Sequence, residues 1–94
     1  MKVRYTRRAL RHLDSILAWI SQDRPKAALG QIQRIEHAID LIGQFPQMGH
    51  TGISTGTLEF VVPGTPFIVI YRIGKDEVQV LSVVHGAKDR KPTK

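Results

Sequence analysis

The chain has 94 residues, no cysteine, and 14 Lys and Arg against 8 Asp and Glu, a formal net charge of +6. That length suits one domain over residues 1–94 with a thin core, and the lack of cysteine excludes a disulfide framework or thiolate metal site and suits a reducing cytoplasm. No run reaches the roughly 18 apolar residues of a membrane span, and no apolar leader follows Met1. The positive excess points instead to a polyanion or an acidic protein segment as partner.

Val3 and Tyr5 alternate with Arg4 and Thr6, the pattern of a short first strand. Thr6 is placed to cap a helix that starts near Arg7. Leu10, Leu13, Leu17 and Ile20 recur at helical spacing, supported by Ala9 and Ile16. Arg7, Arg8, Arg11 and His12 make the opening of this helix basic, against the helix dipole. Ser21 to Pro25 breaks the pattern, and Pro25 suits the first turn of a second helix. Ala28, Ile32, Ile35, Ile39 and Ile42 form its apolar stripe, and Phe45-Pro46 closes it. The two helices form an αα-hairpin. Gly30, costly inside a helix, is expected to mark a close crossing with the first helix.

Met48 to Gly56 is glycine-rich but lacks the GxxxxGK[ST] pattern of a phosphate loop, and reads as a connection. Leu58, Phe60 and Val62 alternate with Glu59 and Val61 as a second strand. Phe67 to Ile73 is apolar on both faces and belongs in the middle of a sheet. Val78 to Val84 is the last strand.

Gly74-Lys75-Asp76-Glu77 joins the last two strands as a tight antiparallel hairpin. With Lys75 and Asp76 in the turn, Arg72 faces Gln79, Ile70 faces Leu81, Ile68 faces Val83 and Pro66 faces His85. Period two then places Ile68, Ile70, Arg72, Gln79, Leu81, Val83 and His85 on one face. Arg72 and His85 share that face but stand roughly 20 Å apart along the hairpin, too far to hold one phosphate. Cations for His85 must come from Lys88 and Arg90, or from His50 and the basic first helical turn.

A histidine at a strand end beside lysine and arginine suits RNA chemistry or a basic docking surface. RNA is cut without a metal when a base takes the 2′-OH proton and cations steady the phosphate. In that chemistry His85 is the acid or base, and Lys88 and Arg90 hold phosphate; Arg72, Arg4, Arg8 and His50 are the further candidates for nucleic-acid contact. For Arg72 the pairing with Asp76 or Glu77 at the turn is slightly favoured over a phosphate contact. Tyr71 is expected to pack against the helices and Trp19 in the core or its rim. His12, His37 and His50 lack metal-ligand spacing, so no metal or cofactor is expected.

The ordered set resembles the RelE/ParE family of toxins from type II toxin–antitoxin operons. The set is the short first strand, the hairpin ending in FPQMGH, the segment GTLEFVVPGTPFIVIYRI and the closing VQVLSVVHGAKDR. The resemblance is to the branch described as RelE/StbE-like, or plasmid-stabilisation proteins. It implies an α+β fold in which an N-terminal strand and an αα-hairpin precede a three-stranded antiparallel segment completing a small sheet. It also implies a cognate antitoxin as partner. It implies two targets within the family, mRNA on the ribosome and DNA gyrase. The reading taken first is a ribosome-dependent mRNA endonuclease that inhibits translation. The alternatives are gyrase inhibition without catalysis, and an inactive member that binds only its antitoxin. Leu58 stands where the family often carries an arginine, and Lys88 where the closing motif often has one.

Overall fold

The computed structural model describes residues 1–87. In chain order it contains β1 (Lys2–Tyr5), α1 (Arg7–Ser21), α2 (Pro25–Gln44), a 3₁₀ turn (Pro46–Met48), β2 (His50–Thr51), β3 (Leu58–Val61), β4 (Phe67–Ile73) and β5 (Glu77–His85). The strands form one sheet in the order β1-β5-β4-β3-β2, with β4 central. Neighbours in β2 to β5 run antiparallel, and β1 lies parallel to β5. The α+β architecture matches the expectation. The glycine-rich connection differs: its first residues add the two-residue strand β2 to the sheet edge.

Helix α1 begins where its cap dictates. The Thr6 side-chain oxygen accepts from the Ala9 N–H at 3.1 Å and donates to the Leu81 carbonyl at 3.0 Å. The Thr6 N–H also donates to the Val80 carbonyl. These bonds fix the helix's rotation over β5. Its deepest residues are Ala9 and Ile16, with Leu13 and Ile20 beside them, while Leu10 is half exposed. The buried stripe is thus turned one residue from the leucine series. Helix α2 starts at Pro25 and buries Ala28, Ile35, Ala38, Ile39 and Ile42. Gly30 does not mark a helix crossing, since a Cβ there would meet nothing within 4 Å. The close approach is at Gly43, where a Cβ would lie 2.8 Å from the Val3 side chain.

Both helices cover one face of the sheet. That face supplies Phe67, Val69, Tyr71, Val78, Val80 and Val83 to the core. Tyr71 is fully buried and ties the segment after α2 to the sheet. Its hydroxyl donates to the Pro46 carbonyl at 2.7 Å and accepts from the Gly49 N–H at 2.9 Å. A Cβ on Gly49 would stand 2.5 Å from that oxygen, so this position requires glycine.

The last hairpin begins in the expected register, with Ile73 opposite Val78 and Arg72 opposite Gln79. A bulge then intervenes. Tyr71 faces Val80 but Ile70 faces Ser82, leaving Leu81 as the extra residue. Beyond it Val69 faces Val83, Ile68 faces Val84 and Phe67 faces His85. One inserted residue exchanges the faces of everything that follows.

Candidate functional site

The bulge decides where His85 points. It shares a face with Phe67, on the helix side, and not with Arg72 as the uninterrupted register requires. Its ring meets Phe67 edge-on at 5.6 Å between centroids and Trp19 edge-on at 6.2 Å. Its Nδ1 accepts from the Ala87 N–H at 3.2 Å, which leaves Nε2 to carry the proton of the neutral ring. Trp19, at the end of α1, is 48% exposed and forms the outer wall of this aromatic corner. An apolar cleft of about 150 Å³ runs from Trp19 along Ile20, Asp23 and Arg24.

The other candidate cations lie elsewhere. Arg72 is on the open face, about five residues or 16 Å along the strand from the level of His85. It does not pair with Asp76 or Glu77; it donates to the Gln79 side chain at 3.0 Å, its cross-strand neighbour. Arg4 lies on the same open face and binds the Glu77 carboxylate at 2.8 Å. Gln79 donates to that carboxylate at 2.9 Å. The Gln79 bond first, then Arg4, holds the Glu77 carboxyl below its usual range. Arg8 is exposed in the first turn of α1, about 16 Å along the helix axis from Trp19. His50, on β2, stands in the cross-strand row His50-Glu59-Ile70-Ser82, three strand spacings or about 14 Å from β5. Its Nδ1 lies 3.2 Å from the Thr51 carbonyl. Lys88 and Arg90 lie outside the described residues. Among the described residues, then, the first helical turn, Arg72 and His50 are not gathered around His85. No group of three His, Asp or Glu able to hold a metal occurs among them, nor any helix long and apolar enough to cross a membrane.

Leu58 faces the helices opposite Tyr71 and packs against the core. An arginine at this position would project into that packed side, away from Arg72 on the open face.

Sequence reasoning missed several contacts. His12 accepts the Val83 N–H at its Nδ1, 3.2 Å away, along the part of β5 that β1 does not reach. Glu59 is buried, with one carboxylate oxygen accepting from the Ile53 N–H at 3.1 Å. The signal for His12 was its place four residues before buried Ile16; nothing local announced Glu59, whose partner comes from the folded loop.

A family model described as "ParE toxin of type II toxin-antitoxin system, parDE" matches residues 3–90. The chain belongs to the RelE/ParE family of type II toxin–antitoxin toxins. Its curated relatives agree. It is 42% identical over 84 residues to a putative toxin, Y4kP, of Sinorhizobium fredii, covering 89% of this chain and 86% of that protein. It is 30% identical over 87 residues to toxin RelE2 of Caulobacter vibrioides, covering 93% and 97%. A solved structure of a chromosomal ParDE system from P. aeruginosa superposes with a TM-score of 0.83, at 23% identity over 90% of this chain and 95% of the other; that likeness speaks for the fold. As a RelE/ParE toxin, the chain has a cognate antitoxin as partner.

Proposed function

We propose that this RelE/ParE toxin acts as a ParE-type protein, arresting cells by binding DNA gyrase without performing chemistry. The observation that carries this reading is the placement of His85. Its ring is packed edge-on between Phe67 and Trp19, with Nδ1 engaged by Ala87. Arg72 and Arg4 stand on the opposite face of the sheet. Metal-free RNA cleavage needs an acid–base group and phosphate-binding cations converging within hydrogen-bond reach of one phosphate. The match to a ParE family model over residues 3–90 favours the same reading. A protein-binding toxin needs only an exposed surface with anchors, and a half-exposed tryptophan is the residue type that most often anchors protein interfaces.

The test is induction in cells with three parallel readings: plasmid supercoiling, the DNA-damage response and messenger integrity. Loss of negative supercoiling with intact messages is expected. Rapid message cleavage with normal supercoiling would return the assignment to the nuclease reading, with His85, Lys88 and Arg90 as its active region.

A further inference from the structure

One corner of the helix side is left over once the core is packed. Trp19, the one tryptophan of the chain, is half exposed and stands outside the core cluster, although its neighbours Ile16 and Ile20 join it. The ring is nonetheless held. It meets His85 edge-on, and His85 in turn meets Phe67 edge-on, so a buried strand residue braces the exposed tryptophan. Beside the ring lies the cleft of about 150 Å³ lined by Trp19, Ile20, Asp23 and Arg24. The turn between the helices fixes its shape: the Asp23 and Arg24 N–H groups both donate to the Ile20 carbonyl, at 3.2 and 2.9 Å. Pro25 then locks the backbone as α2 begins.

We propose that this corner is the surface through which the toxin grips gyrase, with Trp19 as the anchor and, as partner, an acidic segment of gyrase that carries an aliphatic side chain. The inference rests on the gyrase-binding reading and adds to it the surface and the chemistry of what is bound. An exposed tryptophan that is already braced loses little side-chain freedom on binding, and this makes it a strong anchor. A cavity of about 150 Å³ holds one benzene-sized apolar group, so the cleft takes a single Leu- or Met-sized side chain beside the ring. Charge selects the rest of the segment. Arg24 lines the cleft and Lys26 follows it, both exposed, against Asp23. The sequence that continues from Ala87, two residues past His85, carries Lys88, Arg90, Lys91 and Lys94 against Asp89. That balance favours a partner rich in carboxylates. It disfavours a second copy of this chain, since each copy has a net charge of +6. A nucleic-acid strand fits less well, because successive bases need successive aromatic faces. Of the three rings here, Phe67 is buried and His85 is partly covered. His85 supports the ring without being part of the contact, so His85→Ala keeps both the anchor and the cleft.

The test uses the full chain, purified gyrase and a linear DNA duplex. With 5-hydroxytryptophan incorporated at position 19, that ring is excited apart from ordinary tryptophan. Gyrase without DNA is expected to shield it from the collisional quencher acrylamide, a measurement that needs no truncation of the ring. Unchanged quenching on bound gyrase would overturn the proposal. Shielding by DNA and not by gyrase would make the corner a nucleic-acid contact and overturn it too. In a supercoiling assay, Trp19→Ala should raise the concentration for half-inhibition by at least about tenfold. Arg24→Glu should raise it about threefold and weaken its salt dependence. Ile53→Ser, in the loop at the opposite edge of the sheet, should change it by less than about twofold. Melting temperatures show which variants are folded. Full inhibition by a folded Trp19→Ala chain would overturn the proposal and leave the gyrase reading standing. A wild-type chain that neither binds nor inhibits gyrase sinks that reading itself, and the inference with it.

Discussion

The two faces of the sheet are built from the same strands, yet one is packed under the helices and the other is left uncovered by them. The helix side holds Phe67, Val69, Tyr71, Val78, Val80 and Val83, all essentially inaccessible to solvent. The open side keeps Ile68, Ile70 and Val84 partly uncovered, exposes Val61, and gathers Arg4, Arg72, Gln79 and Glu77 into a bonded polar chain. Period two alone would give each strand one face of each kind. The bulge at Leu81 makes the difference instructive, because it moves Val83 and His85 from the open side to the helical side. The residue that looked most chemical from the sequence thereby joins the packed face, while the arginines and partly exposed aliphatics stay on the other.

Substitutions on the two sides are expected to differ in size. The largest effect belongs to Tyr71. Tyr71→Ala removes a fully buried ring and both bonds to the 46–49 segment. Urea unfolding should show a loss of about 3–5 kcal/mol. Tyr71→Phe keeps the ring but strands the Gly49 N–H and the Pro46 carbonyl, and should cost about 1–3 kcal/mol. Loss of less than a few tenths of a kcal/mol would mean that the phenol does not tie the segment down.

The same hydroxyl predicts a pH dependence. Burial raises the Tyr71 pKa above its ordinary 10.0, only partly opposed by the Gly49 bond. A phenol with a raised folded pKa contributes stability that is full below pH 10 and is lost as pH climbs through the folded value. The gap between wild type and Tyr71→Phe should therefore narrow above pH 10. Tyr5, whose pKa is raised by burial and by Glu36 and Asp40, titrates in both proteins and drops out of the difference. A gap that stays constant through that range would contradict the assignment.

Smaller effects sharpen the contrast. Gly30→Ala adds a methyl where no atom lies within 4 Å and should stabilise the helix by up to about 1 kcal/mol, read as a higher melting temperature. A lower melting temperature would show that the helices do meet at this point. Arg72→Ala, on the open face, should change stability by no more than about 0.5 kcal/mol, read by urea unfolding. A large stability loss there would make the open face part of the folding machinery after all.

Much of the fold was legible in local chemistry. Thr6, Pro25 and the Phe45-Pro46 pair gave the helix limits, because caps and prolines act within a few residues. Gly74 to Glu77 gave the hairpin turn for the same reason: the Gly74 N–H does donate to the Glu77 carbonyl, at 2.7 Å. The bulge was not legible. At the bulge Thr6, just past β1 on the neighbouring strand, donates to the Leu81 and Val80 carbonyls, a contact between residues more than seventy positions apart. The candidate site suffered most from that gap, since the faces assigned to Val83 and His85 depended on an uninterrupted ladder. Trp19 reads as core or rim packing from the sequence, and its half-exposed position against His85 puts it at the rim rather than in the core. Its meeting with a strand end sixty-six residues later is a tertiary fact.

The claim that His85 is a packing residue of a gyrase-binding toxin is tested most directly with purified components. Wild-type and His85→Ala chains are added to gyrase in a supercoiling assay and to translating ribosomes in a messenger-cleavage assay. The account predicts that both chains inhibit gyrase and that neither cuts the message. Message cleavage by the wild type that disappears in His85→Ala, with gyrase unaffected by either, would contradict it.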